Sequence, residues 1–335
     1  MQRIVNNIYD YKVELMGFAI LILMIFHSSI PTFYGLKNVL DFGVDIFLFL
    51  GGFTCTLSYC KLKLNEGILM YYKKRVWRIL PPYLLLYVFI YANEYLFNGQ
   101  WDWAKYWGEL SMWNNLVHNS VSMWYVPAVL IMYCIIPVYV DSFDKYKTVR
   151  WTPLLALLFV AGMHLSGWSR YLPFGMVWDR LPIYFLGVNA FLLKKNETHL
   201  NKWFVLCGVV VAFWVCLWLD GLHQLGLKRL CYIPMVIATV YFYDQNKWCK
   251  KLFGWAGVCS FENYMLHWYV VKLLYIYTAG IVVSALVALP GLNFLKGHQL
   301  GLEALYASVV GIPMALFFAY MYHRLLDKTV YKYKL

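Results

Sequence analysis

Residues 15–36, 121–140, 151–169 and 304–323 contain no Asp, Glu, Lys or Arg at all. Each stretch has about 20 residues, and at 1.5 Å per residue a helix of that length crosses a hydrocarbon core of ~30 Å. Lipid offers no hydrogen-bond partner to a bare backbone, so repeated blocks of this length require helices that satisfy their own amides. A transmembrane β-barrel would show short segments of alternating polarity, and the blocks do not alternate. Only 14% of the 335 residues are charged, against about 25% in soluble domains, so a mostly aqueous surface is excluded. The chain is expected to be all-α: a polytopic membrane helical bundle of about ten transmembrane helices.

The expected helices lie near 13–33, 39–60, 79–97, 121–140, 151–168, 181–193, 203–220, 229–243, 255–278 and 302–323, the ninth with room for an internal break. With the N-terminus inside, Lys and Arg number two up to Lys12, six in 61–78, three each in 145–150, 194–202 and 247–251, and four in 324–334, together 21 of the 29. Cytoplasmic loops carry this excess, so both termini are expected to be cytoplasmic. The formal charge of +12 is thus explained by topology, and nucleic acid is not an expected partner. The outer segment 98–120 is Trp-rich and amphipathic and is expected to lie along the membrane surface. The first apolar block follows Glu14 without a cleavage site of small residues, so it reads as a retained helix rather than a signal peptide. A single membrane-embedded domain over 1–335 is expected, with no appended soluble domain. The eight cysteines show no metal-ligand spacing and read as packing residues, and no metal is expected.

Ionisable side chains inside a span are costly and mark function by default. His27 falls about 14 residues into the first helix, ~20 Å from its cytoplasmic end. The alternative for such a residue is a neutral imidazole bonded to a neighbouring helix. Asp45 opens the second helix as either an interfacial carboxylate or half of a buried pair. Glu262 and His267 share the ninth helix at i and i+5 and so do not share a face; His267 with Trp268 would also serve as an interfacial anchor. Arg75 and Arg78 are three residues apart before Pro81 and Pro82, so on a helix they face one way. Two guanidinium forks side by side suit a phosphate-rich ligand, and ordinary positive-inside charge is the competing explanation.

Six segments together resemble acyltransferase family 3, the bacterial inner-membrane O-acyltransferases of surface glycans. Glu14, Leu15, Met16 and Gly17 through Phe26 and His27 look like its first-helix motif, and Phe42, Gly43, Val44, Asp45, Ile46 and Phe47 to Gly51, Gly52 and Phe53 like its second. Arg75, Val76, Trp77 and Arg78 before Pro81, Pro82 and Tyr83 match the paired-arginine motif. Trp124 to Pro127 with Pro137, then Arg180 with Tyr184 to Gly187, are similar to the fourth and sixth helices, and Ser260 to His267 to the ninth. Two positions depart. Met16 stands eleven residues before His27, where the family usually has a cation on nearly the same helix face, and Lys12 is the expected substitute through its flexible stem. Gly51 replaces a common Ser, which excludes a serine acyl-intermediate there.

The resemblance implies a multi-pass protein of the bacterial inner membrane that moves an acetyl group from cytoplasmic acetyl-CoA to a hydroxyl of a surface or lipid-linked glycan. It implies His27 as catalytic general base, and Asp45 is the candidate carboxylate to tune it. Arg75, Arg78 and Lys12 would hold the donor phosphates. Trp124 and Tyr125 would stack on sugar or anchor in the aromatic belt. Arg180 would stabilise an oxyanion, or pair with Asp179 or a lipid phosphate. Glu262 and His267 are further substrate-binding candidates. A transporter or flippase for a lipid-linked glycan is the main alternative, although the two halves show no matching broken helices. A catalytically degenerate family member and a membrane scaffold are further alternatives.

Overall fold

The computed structural model describes residues 2–28, 40–98, 102–118, 120, 123–193, 201–221, 230–243, 247–289 and 299–331, and among them there is no strand. Each of the ten expected segments contains helix among its described residues, interrupted or ended by a turn or bend at places such as Ser28, Asp41, Ser166 and Cys259. Among the described residues, five segments are long and apolar enough to cross a membrane by length and composition: Phe42–Asn65, Tyr125–Lys145, Lys147–Leu165, Ser260–Val287 and Gly301–Thr329. The chain divides into two compact units. One is built from Met1–Lys12 and Asp45–Tyr243, the other from Val13–Val44 and Asp244–Lys332.

The first helix, α1 (Gln2–His27), starts eleven residues earlier than expected, and its backbone leaves helical values at Tyr11 (φ −126°, ψ 21°). Its early turns belong to the first unit, where Ile4, Val5 and Ile8 are buried at helical spacing. Asn7 donates from Nδ2 to the carbonyl of Val240 at 2.7 Å, giving this polar residue its place in the packing.

The rest of the first unit holds α2 (Phe42–Asn65) from Asp45 onward, α3 (Ile68–Asn98), α4 (Trp103–Leu110), α5 (Trp113–Val117), α6 (Tyr125–Lys145), α7 (Thr152–Leu165), α8 (Leu181–Leu192), α9 (Lys202–Gly221) and α10 (Tyr232–Phe242). Helix α3 was expected to begin near residue 79. It begins eleven residues sooner and passes through Pro81 and Pro82 without ending. Proline has no amide hydrogen, so those turns lose two intrahelical bonds, and buried Tyr71, Ile79 and Tyr83 hold the helix in place by packing instead. Helices α2 and α8 meet backbone to backbone. A Cβ on Gly52 would clash with the carbonyl of Tyr184, and one on Gly187 with the carbonyl of Phe49. Within the expected outer segment 98–120, the described residues 102–118 form a pair of short helices, with Asp102 capping the Lys105 amide at 3.0 Å and Trp103, Trp107 and Trp113 exposed. Tyr83 fastens it to α3 by donating to the Glu109 carbonyl at 2.7 Å.

The second unit contains α1 from Val13 onward, α11 (Lys247–Val258), α12 (Ser260–Leu274), a π-helical turn Tyr275–Ala279, α13 (Gly280–Val287) and α14 (Gln299–Thr329). The break expected in the ninth helix falls at Cys259 (φ −104°, ψ 25°), and the residues before it form a separate helix. Here too two helices touch through glycine. A Cβ on Gly17 of α1 would clash with the Phe253 carbonyl, and one on Gly257 of α11 with that of Val13. Gly311 of α14 lies similarly close to Val271, where a Cβ would stand 2.8 Å from its Cγ2.

Candidate functional site

Three of the expected cations gather in the first unit. Continuous helix over Ile68–Asn98 puts Arg75 and Arg78 on one side, one turn apart. The Arg75 guanidinium donates from Nη2 to the Thr54 carbonyl at 3.2 Å and sits over two tyrosine rings, 5.8 Å from the Tyr71 centre and 5.5 Å from that of Tyr133. Such a cation–π cradle orients a fork without neutralising it. Lys12 feels the same group. Burial pulls its pKa below the ordinary lysine value, and Arg78, Arg75 and, more weakly, Lys61 pull it further, with Cys55 opposing. A lysine depressed by surrounding cations marks a local excess of positive charge. Lys61 is a member of this group that sequence reasoning did not single out.

A second polar cluster in this unit joins Asp45, Arg180 and Trp124. Asp45 lies in the first turn of α2, where the helix dipole favours a carboxylate. Its Oδ2 is 3.6 Å from Arg180 Nε, and both side chains are almost completely buried. The Arg180 guanidinium lies over the Trp124 ring at 4.8 Å and donates from Nη1 to the Met176 carbonyl at 3.4 Å. Trp124 is itself buried and presents a ring face to this cation, whereas Tyr125 packs against Phe47 with ring centres 6.2 Å apart. Asp179 meets His164, whose Nε2 is 2.8 Å from Oδ1. Of the two readings of Asp45, the structure shows the buried pair, with the guanidinium of Arg180 as its partner.

His27 lies at the last residue of α1, in the second unit. Its helix was expected to continue to 33, but Ser28 is already a bend, and 29–39 lie outside the described residues. The ring is exposed, and its Nδ1 stands 2.7 Å from Nε2 of His267. His267 is buried, and its other nitrogen, Nδ1, is 2.9 Å from the Asn263 carbonyl one turn back along α12. Glu262 points elsewhere on the same helix, as the i, i+5 spacing requires. Its buried carboxylate is 2.9 Å from His323 Nδ1 on α14, and His323 Nε2 is 3.5 Å from Asp327. Sequence reasoning passed over His323, an ionisable residue at the very end of an apolar block rather than inside one as His27 is.

A protein of this kind is all-α, carries helices of membrane length and buries paired ionisable groups inside them. The family model described as an acyltransferase domain matches residues 15–326. The chain belongs to acyltransferase family 3, and this makes it a membrane acyltransferase. No curated protein and no solved structure matches it.

Proposed function

We propose that the protein transfers an acetyl group from cytoplasmic acetyl-CoA to a hydroxyl of a surface or lipid-linked glycan, in a bacterial inner membrane spanned about ten times with both termini inside. Lys12, Arg75 and Arg78 take the donor phosphates through charge-assisted hydrogen bonds, the bidentate geometry coming from the arginines. His27 is the general base. As the sugar oxygen attacks the thioester carbonyl, the hydroxyl proton passes to the imidazole. The carbon–sulfur bond then breaks, and the thiolate leaving group takes that proton back, so the base is regenerated and the products are the acetyl ester and free thiol.

The observation that carries this reading is the His27 ring, exposed at the end of its helix and held by a second imidazole at 2.7 Å. A histidine serving only to fasten helices together would be expected to bury itself. We read the Asp45–Arg180–Trp124 cluster as structural, because it ties together the starts of α2, α6 and α8. The test uses purified protein with labelled acetyl-CoA and host glycan, alongside His27→Ala and the Arg75→Ala/Arg78→Ala double variant. Label appearing on the glycan with wild type and lost in both variants is the expected result. Glycan translocation without label transfer would overturn the reading in favour of a transporter.

A further inference from the structure

We propose that His267 is a positioning residue that holds His27 in its Nδ1–H tautomer and so leaves Nε2 as the nitrogen that takes the substrate proton. This inference rests on the acyl-transfer reading above.

The Asn263 carbonyl has lone pairs and no hydrogen, so the His267 nitrogen 2.9 Å from it, Nδ1, must carry a proton. In a neutral imidazole only one nitrogen is protonated, which leaves a lone pair on His267 Nε2. The nitrogen 2.7 Å from that lone pair is His27 Nδ1, and a contact this short between two lone pairs would be repulsive. His27 Nδ1 therefore donates. The remaining nitrogen of His27, Nε2, then holds the lone pair that general-base chemistry needs. One backbone carbonyl in α12 thus sets the tautomer of a ring 240 residues distant in sequence.

The ring geometry agrees. The planes are 15° from parallel and the centres 5.0 Å apart, while the two nitrogens approach to 2.7 Å. That difference is what two ring radii supply when both nitrogens lie on the line joining the centres. The rings meet edge to edge rather than face to face, and the shared hydrogen lies in the plane of the accepting lone pair, where such a bond is strongest.

The arrangement also suits turnover. When His27 Nε2 takes up the hydroxyl proton, Nδ1 of the same ring is still a donor and His267 is still an acceptor. Neither hydrogen bond has to change, so the base moves between its two states without reorganising its support. The opposite tautomer would have to break the contact with His267 or turn that ring away from Asn263.

Ring-nitrogen NMR of the full-length protein labelled with 15N-histidine in lipid nanodiscs tests this directly, with His27→Gln and His267→Gln assigning the signals. The expected spectrum shows protonated Nδ1 and unprotonated Nε2 on both residues, with scalar coupling between His27 Nδ1 and His267 Nε2. A protonated Nε2 on resting His27 overturns the inference whatever the turnover. The kinetic arm compares His267→Leu, which has no acceptor, with His267→Gln, whose side-chain oxygen can accept from His27 Nδ1. The leucine variant should lose about 10²–10⁴-fold in kcat with donor KM within a few-fold, and glutamine should recover most of that loss. Equal losses in the two variants overturn the positioning role. If wild type shows the expected tautomer but His27→Ala keeps full turnover, the catalytic reading fails and the tautomer assignment stands.

Discussion

Lys12, Arg75 and Arg78 in the first unit, and His27 and His267 in the second, are both groups of nitrogen bases gathered by helix packing, but they are held in different ways. The cations crowd one another. Lys12 bears the mark of it in a pKa lowered by burial, Arg78 and Arg75, and Arg75 is steadied by aromatic rings and a carbonyl rather than by an acid. The imidazoles instead form a directed chain, each nitrogen of His267 with a neighbour at hydrogen-bond distance. The contrast separates two tasks. A surplus of like charge lowers its energy by taking in an anion, so it favours binding. An oriented neutral pair gains little from an ion but places a lone pair accurately, so it favours chemistry.

Four measurements bear on this contrast. The largest effect is expected for His27→Ala, which should lower kcat by about 10²–10⁴-fold while donor affinity stays within a few-fold, read by label transfer and by equilibrium donor binding. A matching loss of donor affinity would erase the division of labour. Next, the Arg75→Ala/Arg78→Ala double variant should weaken donor binding by roughly 10²-fold or more, since each charge-assisted contact contributes about 1.5–3 kcal/mol. The remaining binding should also depend less on salt.

Third in size are the glycine contacts that build each unit. Gly187→Ala and Gly17→Ala force a Cβ against a backbone carbonyl and should each destabilise by about 1–3 kcal/mol, seen as a lower Tm in detergent. Gly51→Ser is the control. Nothing lies within 4 Å of its Cβ position, so Tm should hardly move.

The smallest effect is a pH dependence. Lys12 is charged below its lowered pKa and neutral above it, so its contribution to phosphate binding is present on the acid side and lost as pH rises through a value below 10.5. Donor affinity should therefore fall as pH is raised on the alkaline side, earlier than an ordinary lysine would make it, and Lys12→Met should start several-fold weaker and show a flatter profile. An identical slope in the variant would remove Lys12 from the site.

Much of the fold is visible in the apolar blocks, because a span of hydrocarbon length needs about 20 apolar residues and little else competes to explain them. Helix limits were less legible. Residues 2–10 interleave Ile4, Val5 and Ile8 with Asn6, Asn7 and Asp10, so average hydropathy hides a helix that is obvious once its buried side is seen. The break at Cys259 has no proline or charge to mark its exact place in the sequence. At the site, the residue types were legible and their pairings were not. Arg75 with Arg78 follows from spacing on one helix, whereas Gly52 and Gly187 stand in two separate motifs that carry no sign that their helices meet there. His27 with His267 and Asp45 with Arg180 join residues 240 and 135 positions apart, and no local period encodes such distances. Each of these histidines and acids was chosen by the cost of placing it in lipid, a criterion blind to which neighbour removes that cost.

The contact from Glu262 to His323 reaches beyond the two side chains. It fastens the C-terminal rod of the chain to the helix that bears His267, with Asp327 one turn further along backing the imidazole. Shortening the protein to residue 322 would leave the buried Glu262 side chain without its imidazole partner, and a buried polar group left unsatisfied typically costs about 1–3 kcal/mol. Reporter fusions and purification handles therefore belong after the final turn of α14, because the last helix works as a splint for the one carrying His267.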